Sequence, residues 1–124
     1  PLARDRPRGA DRGGGGDDGV RGGGGADTLN GGGGDDTLNG GRGDDVLRGR
    51  AGDDVFQFRT GDGDDRIKDF QQGLDRIEIL RGAEEFSDLT IDQVGANVRI
   101  SFSNVSILVE RQDSDDFSAA DFIF

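Results

Sequence analysis

The sequence predicts an all-β protein that consists of a parallel β-roll followed by carboxyl-terminal capping β-strands. Three observations indicate this fold. A nine-residue phrase, GGxGxDxUx with U apolar, is written five times in register over residues 13–57. After the repeats glycine becomes rare, and apolar and polar residues alternate as in half-buried strands. Only 31% of the residues are hydrophobic, so we do not expect a large conventional core.

Composition excludes several classes of function. The formal net charge of −11 argues against nucleic acid as a partner, because phosphate binding needs a basic face. The chain has no Cys and no His, which removes disulfides, thiolate metal sites, cysteine nucleophiles and the usual general base. No apolar run approaches the roughly 20 residues of a transmembrane helix, and residues 1–12 lack the apolar region of a signal peptide. Among the side-chain atoms that commonly bind metal ions, only oxygen ligands remain.

Residues 1–12 are rich in Arg and contain both prolines, without any periodicity. We interpret this segment as a linker or a disordered start. The short run from Gly9 to Asp11 is out of frame with the later phrases and is left outside the repeats.

Spacing distinguishes residues 13–57 from a flexible Gly-rich linker, which composition alone would also allow. An aspartate recurs every nine residues, and an apolar residue follows it two positions later. A linker has no reason to keep either register. The aspartates are Asp18, Asp27, Asp36, Asp45 and Asp54, and the apolar residues are Val20, Leu29, Leu38, Leu47 and Phe56.

Each phrase is typical of a tight turn followed by a very short strand. The glycines supply the positive φ angles that bent turns need, and the x-U-x triplet runs extended with U pointing inward. Two phrases complete one coil, so the apolar residues stack in two columns. One column holds Val20, Leu38 and Phe56, and the other holds Leu29 and Leu47.

Stacked turns bring the repeated aspartates together, so the roll needs a divalent cation in order to fold. Carboxylates and bent-out carbonyls are hard oxygen ligands, which suit Ca²⁺ and not Zn²⁺. Mg²⁺ is a weaker candidate, because flexible turns with many oxygens do not form a tight octahedron. We therefore expect several bound Ca²⁺ ions.

The phrase resembles the calcium-binding nonapeptide of RTX proteins. The resemblance implies a right-handed parallel β-roll that coils when Ca²⁺ binds between turns two phrases apart. Each ion would take an aspartate from both turns, carbonyls of positions 2 and 4 from one, and carbonyls of positions 1 and 3 from the other. The implied sets join Gly14, Gly16 and Asp18 to Gly31, Gly33 and Asp36; Gly23, Gly25 and Asp27 to Gly40, Arg42 and Asp45; and Gly32, Gly34 and Asp36 to Gly49, Ala51 and Asp54. Gly41 and Gly43 are further carbonyl ligands in this pattern.

The fifth position of the phrase holds Asp17, Asp35, Asp44 and Asp53. We interpret these side chains as solvated charges on the rim, since Ala26 stands there in the second copy. Arg50 replaces the second glycine of the fifth copy and should point outward.

Residues 58–82 keep the phrase only loosely, as degenerate repeats and a capping coil. They resemble the segment that follows the regular repeats in secreted RTX proteases and lipases. Asp65 and Asp69 are the expected ligands of the last site, with Asp62 and Asp75 as further candidates. Apolar residues in and beside this segment would shield the open end of the roll, namely Phe56, Phe58, Ile67, Phe70, Ile77 and Ile79.

Residues 83–124 read as carboxyl-terminal β-strands. Segments 89–94 and 98–102 alternate, are joined by a turn at 95–97, and are followed by 105–109, which favours antiparallel pairing. A short helical turn is expected at 83–86. The chain ends in Asp121, Phe122, Ile123 and Phe124, which is similar to the uncleaved tail signal of proteases and lipases exported by type I secretion.

These features predict a secreted, extracellular bacterial module that is not an enzyme by itself. Ca²⁺ would fold it outside the cell, where it would serve as the secretion and folding domain of a larger protein. Its partners would be the type I secretion machinery, through Asp121 to Phe124, and an upstream domain. Enzymatic activity is disfavoured, because the aspartate pairs are repeated and no nucleophile–base pair exists.

The alternative is a polysaccharide- or surface-binding module attached to a secreted enzyme, because the repeats also resemble those of alginate-modifying enzymes. Its signature would be a basic or aromatic stripe along the roll. In the sequence Arg21, Arg42 and Arg48 look scattered, and no aromatic residue precedes Phe56.

Overall fold

A computed structural model describes residues 9–12 and 19–124, and over these residues it shows the predicted all-β fold, a parallel β-roll of about 3 turns. Nowhere in these two stretches is there an α-helix, and none of their helical turns is long and apolar enough to cross a membrane. Short 3₁₀ helices span Phe86–Asp88, Ser114–Asp116 and Ala119–Asp121. The strands are β1 (Gly9–Arg12), β2 (Gly19–Arg21), β3 (Asp27–Asn30), β4 (Thr37–Asn39), β5 (Val46–Arg48), β6 (Val55–Arg59), β7 (Asp64–Ile67), β8 (Arg76–Arg81), β9 (Thr90–Val94), β10 (Asn97–Phe102), β11 (Val105–Val109) and β12 (Phe122–Ile123).

The strands form two sheets. The seven-stranded sheet has the order β1-β3-β5-β7-β11-β10-β9, and the five-stranded sheet has the order β12-β8-β6-β4-β2. Consecutive strands of the roll therefore alternate between the sheets, and each coil adds one strand to each of them. Within the roll every pairing is parallel, as stacked coils require.

The amino-terminal segment differs from the expected linker. Residues 1–8 lie outside the described residues, but Gly9–Arg12 form β1 and pair in parallel with β3. The register sets Asp11 opposite Leu29, so this strand joins the sheet without the apolar residue that the repeats place there. Backbone pairing depends weakly on the side chain, which is why an out-of-frame segment can extend the ladder.

The apolar columns run through both sheets in the predicted order. In the five-stranded sheet the register aligns Val20, Leu38, Phe56, Ile77 and Phe122. In the other it aligns Leu29, Leu47, Ile67, Val109 and Val98. All ten side chains are buried. The repeats and the carboxyl-terminal segment thus share one core.

The cap joins the roll through both sheets. Strands β9, β10 and β11 pair antiparallel, as predicted, and β11 then pairs in parallel with β7. The tail strand β12 pairs in parallel with β8. The Phe122 ring lies 5.6 Å from Phe86 and 6.2 Å from Phe117, measured between centroids. The helical turn expected at 83–86 forms slightly later, at Phe86–Asp88.

Candidate metal centre

The turns between the strands stack in two columns. Residues 22–27, 40–45 and 60–65 form the first turn column, which leads from the five-stranded to the seven-stranded sheet. Residues 31–36, 49–54 and 68–75 form the second turn column, which leads back. Each turn therefore lies against the turn one coil away, as calcium binding between coils requires.

At two positions of the first turn column, neighbouring turns approach so closely that only glycine fits. Gly41 and Gly43 adopt φ of 79° and 108°. A Cβ at either position would collide with the carbonyl oxygen of Gly23 or Gly25 in the turn one coil earlier. In the first turn column these two carbonyls consequently face the next turn, where they are available to a cation.

A ladder of aspartates follows each turn column. In the first column the backbone N–H of Asp27 donates to Asp45 Oδ1 at 2.8 Å, and the N–H of Asp45 donates to Asp65 Oδ1 at 2.9 Å. In the second column the N–H of Asp36 donates to Asp54 Oδ1, and that of Asp54 to Asp75 Oδ1, both at 2.8 Å. We call Asp27, Asp36, Asp45, Asp54, Asp65 and Asp75 the ladder aspartates.

One oxygen of each of two ladder aspartates remains without a hydrogen bond. Asp45 and Asp54 are 1% and 0% exposed, and Oδ2 of each has no hydrogen-bond partner. The first glycine of the same phrase, Gly40 or Gly49, lies against this oxygen so closely that an added Cβ would overlap it. Buried carboxylate oxygens without a partner are costly, so this geometry indicates a place for a cation.

Burial shifts the acidity of the ladder strongly. Desolvation raises the pKa of Asp45 and of Asp54 to about 7, although the backbone hydrogen bond to each lowers it. Desolvation likewise raises the pKa of Asp65 to about 8 and that of Asp75 to about 6. Neighbouring carboxylates add to the rise in every case. A divalent cation between the turns would lower the pKa of these carboxyl groups, because it favours their ionised form.

The donors present fit Ca²⁺. Within residues 9–12 and 19–124, no three acidic, His or Cys side chains group closely enough to hold a metal by themselves. Each pair of stacked turns offers two carboxylates, and backbone carbonyls such as those of Gly23 and Gly25 would have to complete the shell. A set of oxygens alone, with flexible carbonyl donors, is the arrangement that Ca²⁺ takes in proteins.

Most of the predicted ligands lie in these stacked turns. Gly23, Gly25 and Asp27 share the first turn column with Gly40, Arg42 and Asp45. Gly31, Gly32, Gly33, Gly34 and Asp36 share the second with Gly49, Ala51 and Asp54. Gly14, Gly16 and Asp18 lie outside the described residues. The assignment of these residues as ligands remains a prediction.

Among the aspartates of residues 58–82, some continue the ladders and others do not. Asp65 continues the first ladder, and its assignment as a ligand of the last site stays a prediction. The second ladder continues through Asp75, and Asp69 instead accepts the backbone N–H of Gly49 at 3.0 Å and that of Arg50 at 2.9 Å. The signal for Asp75 in the sequence is Ile77 two residues later, the spacing of the regular phrase.

Fifth-position aspartates remain on the rim. Asp35, Asp44 and Asp53 are exposed. Asp35 Oδ1 accepts the N–H of Asp53 at 2.8 Å, and Asp44 Oδ1 accepts the N–H of Asp64 at 3.0 Å. They therefore link successive turns from outside. Arg50 is exposed, as expected, and keeps φ at 68°.

Comparison with known proteins gives a family and a set of similar folds. A sequence model of the RTX calcium-binding nonapeptide repeat, in 4 copies, matches residues 12–29, 21–56 and 30–67. No curated protein matches the chain in sequence.

Solved structures with a similar fold include an extracellular lipase and two subunits of a mannuronan epimerase. The extracellular lipase LipA from Serratia marcescens matches with a TM-score of 0.70 and 22% identity over 86% of this chain, which spans only 18% of the lipase. The AlgE6R3 subunit of the Azotobacter vinelandii mannuronan C5-epimerase matches with a TM-score of 0.71 and 25% identity, covering 100% of this chain and 85% of that subunit. The AlgE6R2 subunit of the same enzyme gives 0.66 and 25%, over 96% of this chain and 92% of that subunit.

Proposed function

Because residues 12–67 place this chain in the RTX calcium-binding nonapeptide repeat family, we propose that it is the calcium-folded module of a larger secreted protein. RTX nonapeptide repeats bind calcium ions. The observation that carries the proposal is the pair of aspartate ladders, in which Oδ2 of Asp45 and of Asp54 is buried without a hydrogen bond. Folding would be unfavourable until a cation occupies these turns.

Calcium would act as a folding ligand, not as a catalytic one. Free calcium inside cells lies far below the roughly 10⁻⁴–10⁻³ M affinities of extracellular calcium modules. The repulsive, Gly-rich chain would then stay unfolded before export. Outside, the free energy of calcium binding becomes free energy of folding. Folding on the far side of the membrane would bias transport and help an upstream domain to fold.

The test compares far-UV circular dichroism and hydrodynamic radius in calcium and in EDTA. We expect an expanded chain in EDTA and a compact β-rich chain in calcium. A chain that keeps a compact β signature in EDTA would overturn the proposal. MgCl₂ at the same concentration is the control, since Mg²⁺ demands a tighter octahedral geometry.

Export through type I machinery is a second part of the proposal. Its support is the acidic and apolar end of the chain, Asp121 to Phe124. Because this chain spans 18% of the lipase to which it is similar, any enzymatic activity would belong to another part of the parent protein. A reporter fused ahead of residues 1–124 should leave a host that expresses type I machinery. The same fusion ending at residue 120 should stay inside, and equal export of both would contradict the role of the tail.

A second candidate function is binding of a polysaccharide by a module attached to a secreted enzyme. The observation that favours it is the likeness to AlgE6R3, which covers 100% of this chain and 85% of a subunit of a mannuronan epimerase. Calcium-dependent folding is compatible with both candidates. Retention of the calcium-loaded chain on immobilised polymannuronate, and not on dextran, tests the second candidate.

A further inference from the structure

A line of arginines follows one edge of the five-stranded sheet. Strands β2, β6 and β8 end in Arg21, Arg59 and Arg81, and Arg42 lies in the turn that follows β4. Parallel strands bring their carboxyl ends to one edge, and adjacent strands lie ~4.8 Å apart. The positions of these arginines follow no nine-residue register, which is why they look scattered in the sequence.

The arginines line a continuous groove, which we call the arginine groove. One part, of about 200 Å³, is bordered by Arg21, Arg42, Arg59, Asn39 and glycines of two stacked turns. The other part, of about 280 Å³, is bordered by Arg42, Arg59, Arg81, Thr60 and Asp62. Gly41, Arg42 and Arg59 border both parts, so a ligand could extend along the edge of several strands.

Positive charge predominates in this groove, although the protein carries a net charge of −11. The side chains of Arg42, Arg59 and Arg81 form no hydrogen bond or ion pair with the described part of the chain, whereas Arg66 pairs with Glu110 at 3.1 Å. The acidic residue that borders the groove is Asp62, whose Oδ2 accepts the backbone N–H of Arg59 at 3.1 Å. The Asp62 carboxylate interacts electrostatically with Arg59 and Arg42, and among the described residues that border the groove it is the one acidic side chain.

We propose that the arginine groove binds an acidic polysaccharide whose sugar residues carry carboxylates. Guanidinium groups present a planar fork that pairs with carboxylates in bidentate fashion. The Asn39 amide and the Thr60 hydroxyl lie between the arginines and can hydrogen-bond ring hydroxyls. No aromatic side chain borders either part of the groove among the described residues, so the stacking platform of a single-stranded nucleic acid site is missing. The inference deepens the second candidate function and rests on it.

The groove also lies beside the proposed calcium turns. Arg42 belongs to the turn at 40–45, and Gly23 and Gly41, which border the groove, belong to stacked turns of the first turn column. Calcium would therefore position the groove by ordering these turns. A polyuronate could also be bridged to acidic parts of the surface by free calcium, so the experiment must separate the groove from such bridging.

The test titrates the calcium-loaded chain with short oligouronates that do not gel, using isothermal titration calorimetry. The double variant Arg59→Gln/Arg81→Gln should lose at least tenfold in affinity. The matched control Arg99→Gln/Arg111→Gln carries the same net charge, changes one exposed arginine on β10 and one in the turn after β11, and should bind within about twofold of the wild type. Calcium-dependent circular dichroism of each variant separates loss of binding from loss of folding.

A second variant tests the groove without touching an arginine. A Cβ added at Gly24 meets no atom within 4 Å, so Gly24→Glu should leave the fold intact while it places a negative charge in the groove. It should weaken oligouronate binding, whereas Ser87→Glu, with the same charge and an exposed site, should not. Equal affinity of the groove variants and their controls would overturn the proposal. So would a wild-type chain that binds no oligouronate although it folds in calcium, or one that prefers oligonucleotides.

Discussion

Replacing Asp54 by asparagine should change the stability of the roll in opposite directions with and without calcium. Burial raises the pKa of Asp54 from 3.8 to about 7, so an ionised Asp54 opposes folding when no cation is present. At about 1.4 kcal/mol per pKa unit, the shift corresponds to roughly 4 kcal/mol above pH 7. The substitution removes this penalty, and the oxygen of the new amide can still accept the N–H of Asp36 that Asp54 Oδ1 accepts at 2.8 Å.

In calcium the same change should destabilise the roll, because it removes a proposed carboxylate ligand. In EDTA the assay is the osmolyte concentration at which far-UV circular dichroism reports half-folding, since excluded osmolytes favour compact states. In calcium the assay is urea unfolding. We expect D54N to fold at a lower osmolyte concentration than the wild type and to unfold at a lower urea concentration.

The matched control is Asp53→Asn, which changes the same charge at the adjacent, exposed position. It should change the free energy of unfolding by less than about 1 kcal/mol in either assay. The reasoning is refuted if D54N destabilises the chain in EDTA as much as in calcium. Indistinguishable effects of D54N and D53N would also refute it.

Three further predictions concern pH, the core and the turns. In EDTA, the wild-type chain should become more compact as pH falls from about 8 toward 5. Burial raises the pKa of four ladder aspartates above 3.8, so the folded state binds more protons than the unfolded state. The hydrodynamic radius measures this compaction, and a radius that stays constant over this pH range would contradict the prediction. Leu47→Ala should cost about 2–5 kcal/mol in urea unfolding with calcium, whereas Leu74→Ala, at a side chain 49% exposed, should change stability by less than about 0.5 kcal/mol; equal costs would contradict the apolar columns. Gly41→Ala should lower the melting temperature, because its Cβ meets the Gly23 carbonyl, and Gly24→Ala should not, because its Cβ meets open space.

The roll was predictable from the sequence because single residues that recur at a fixed spacing define its register. Asp36, Leu38 and their counterparts recur every nine positions, and stacking converts that period directly into the observed pairing of Leu38 with Val20 and Phe56. The antiparallel cap was also predictable, since alternation from β9 to β11 indicates strands and the turn at 95–97 joins neighbours.

Contacts between distant segments could not be predicted in this way. Nothing in the alternation of β11 says that it pairs with β7, because any strand with a free edge offers the same backbone groups. The sequence of the tail resembles a secretion signal and does not show that the tail pairs as β12, because this pairing depends on burial of Phe122 among rings from other segments. The second ladder spans 21 residues from Asp54 to Asp75 instead of the regular 18, so the nine-residue period does not reach Asp75, and the sequence ranks Asp69 ahead of it as a predicted ligand.

The arginine groove shows the same limit. Arg59 and Arg81 are 22 residues apart in sequence, yet they are register partners on adjacent strands, because a bulge lies between Phe58 and Arg59. Periodicity identifies residues that share a column only while every coil has the same length.

A crystal structure of the calcium-loaded chain, with anomalous scattering used to locate calcium, tests the central claim most directly. We expect calcium peaks between stacked turns in both columns, about 2.3–2.6 Å from carboxylate oxygens of Asp27 and Asp45 in the first and of Asp36 and Asp54 in the second. Peaks found only on the rim, at exposed residues such as Asp44 and Asp53, would contradict it.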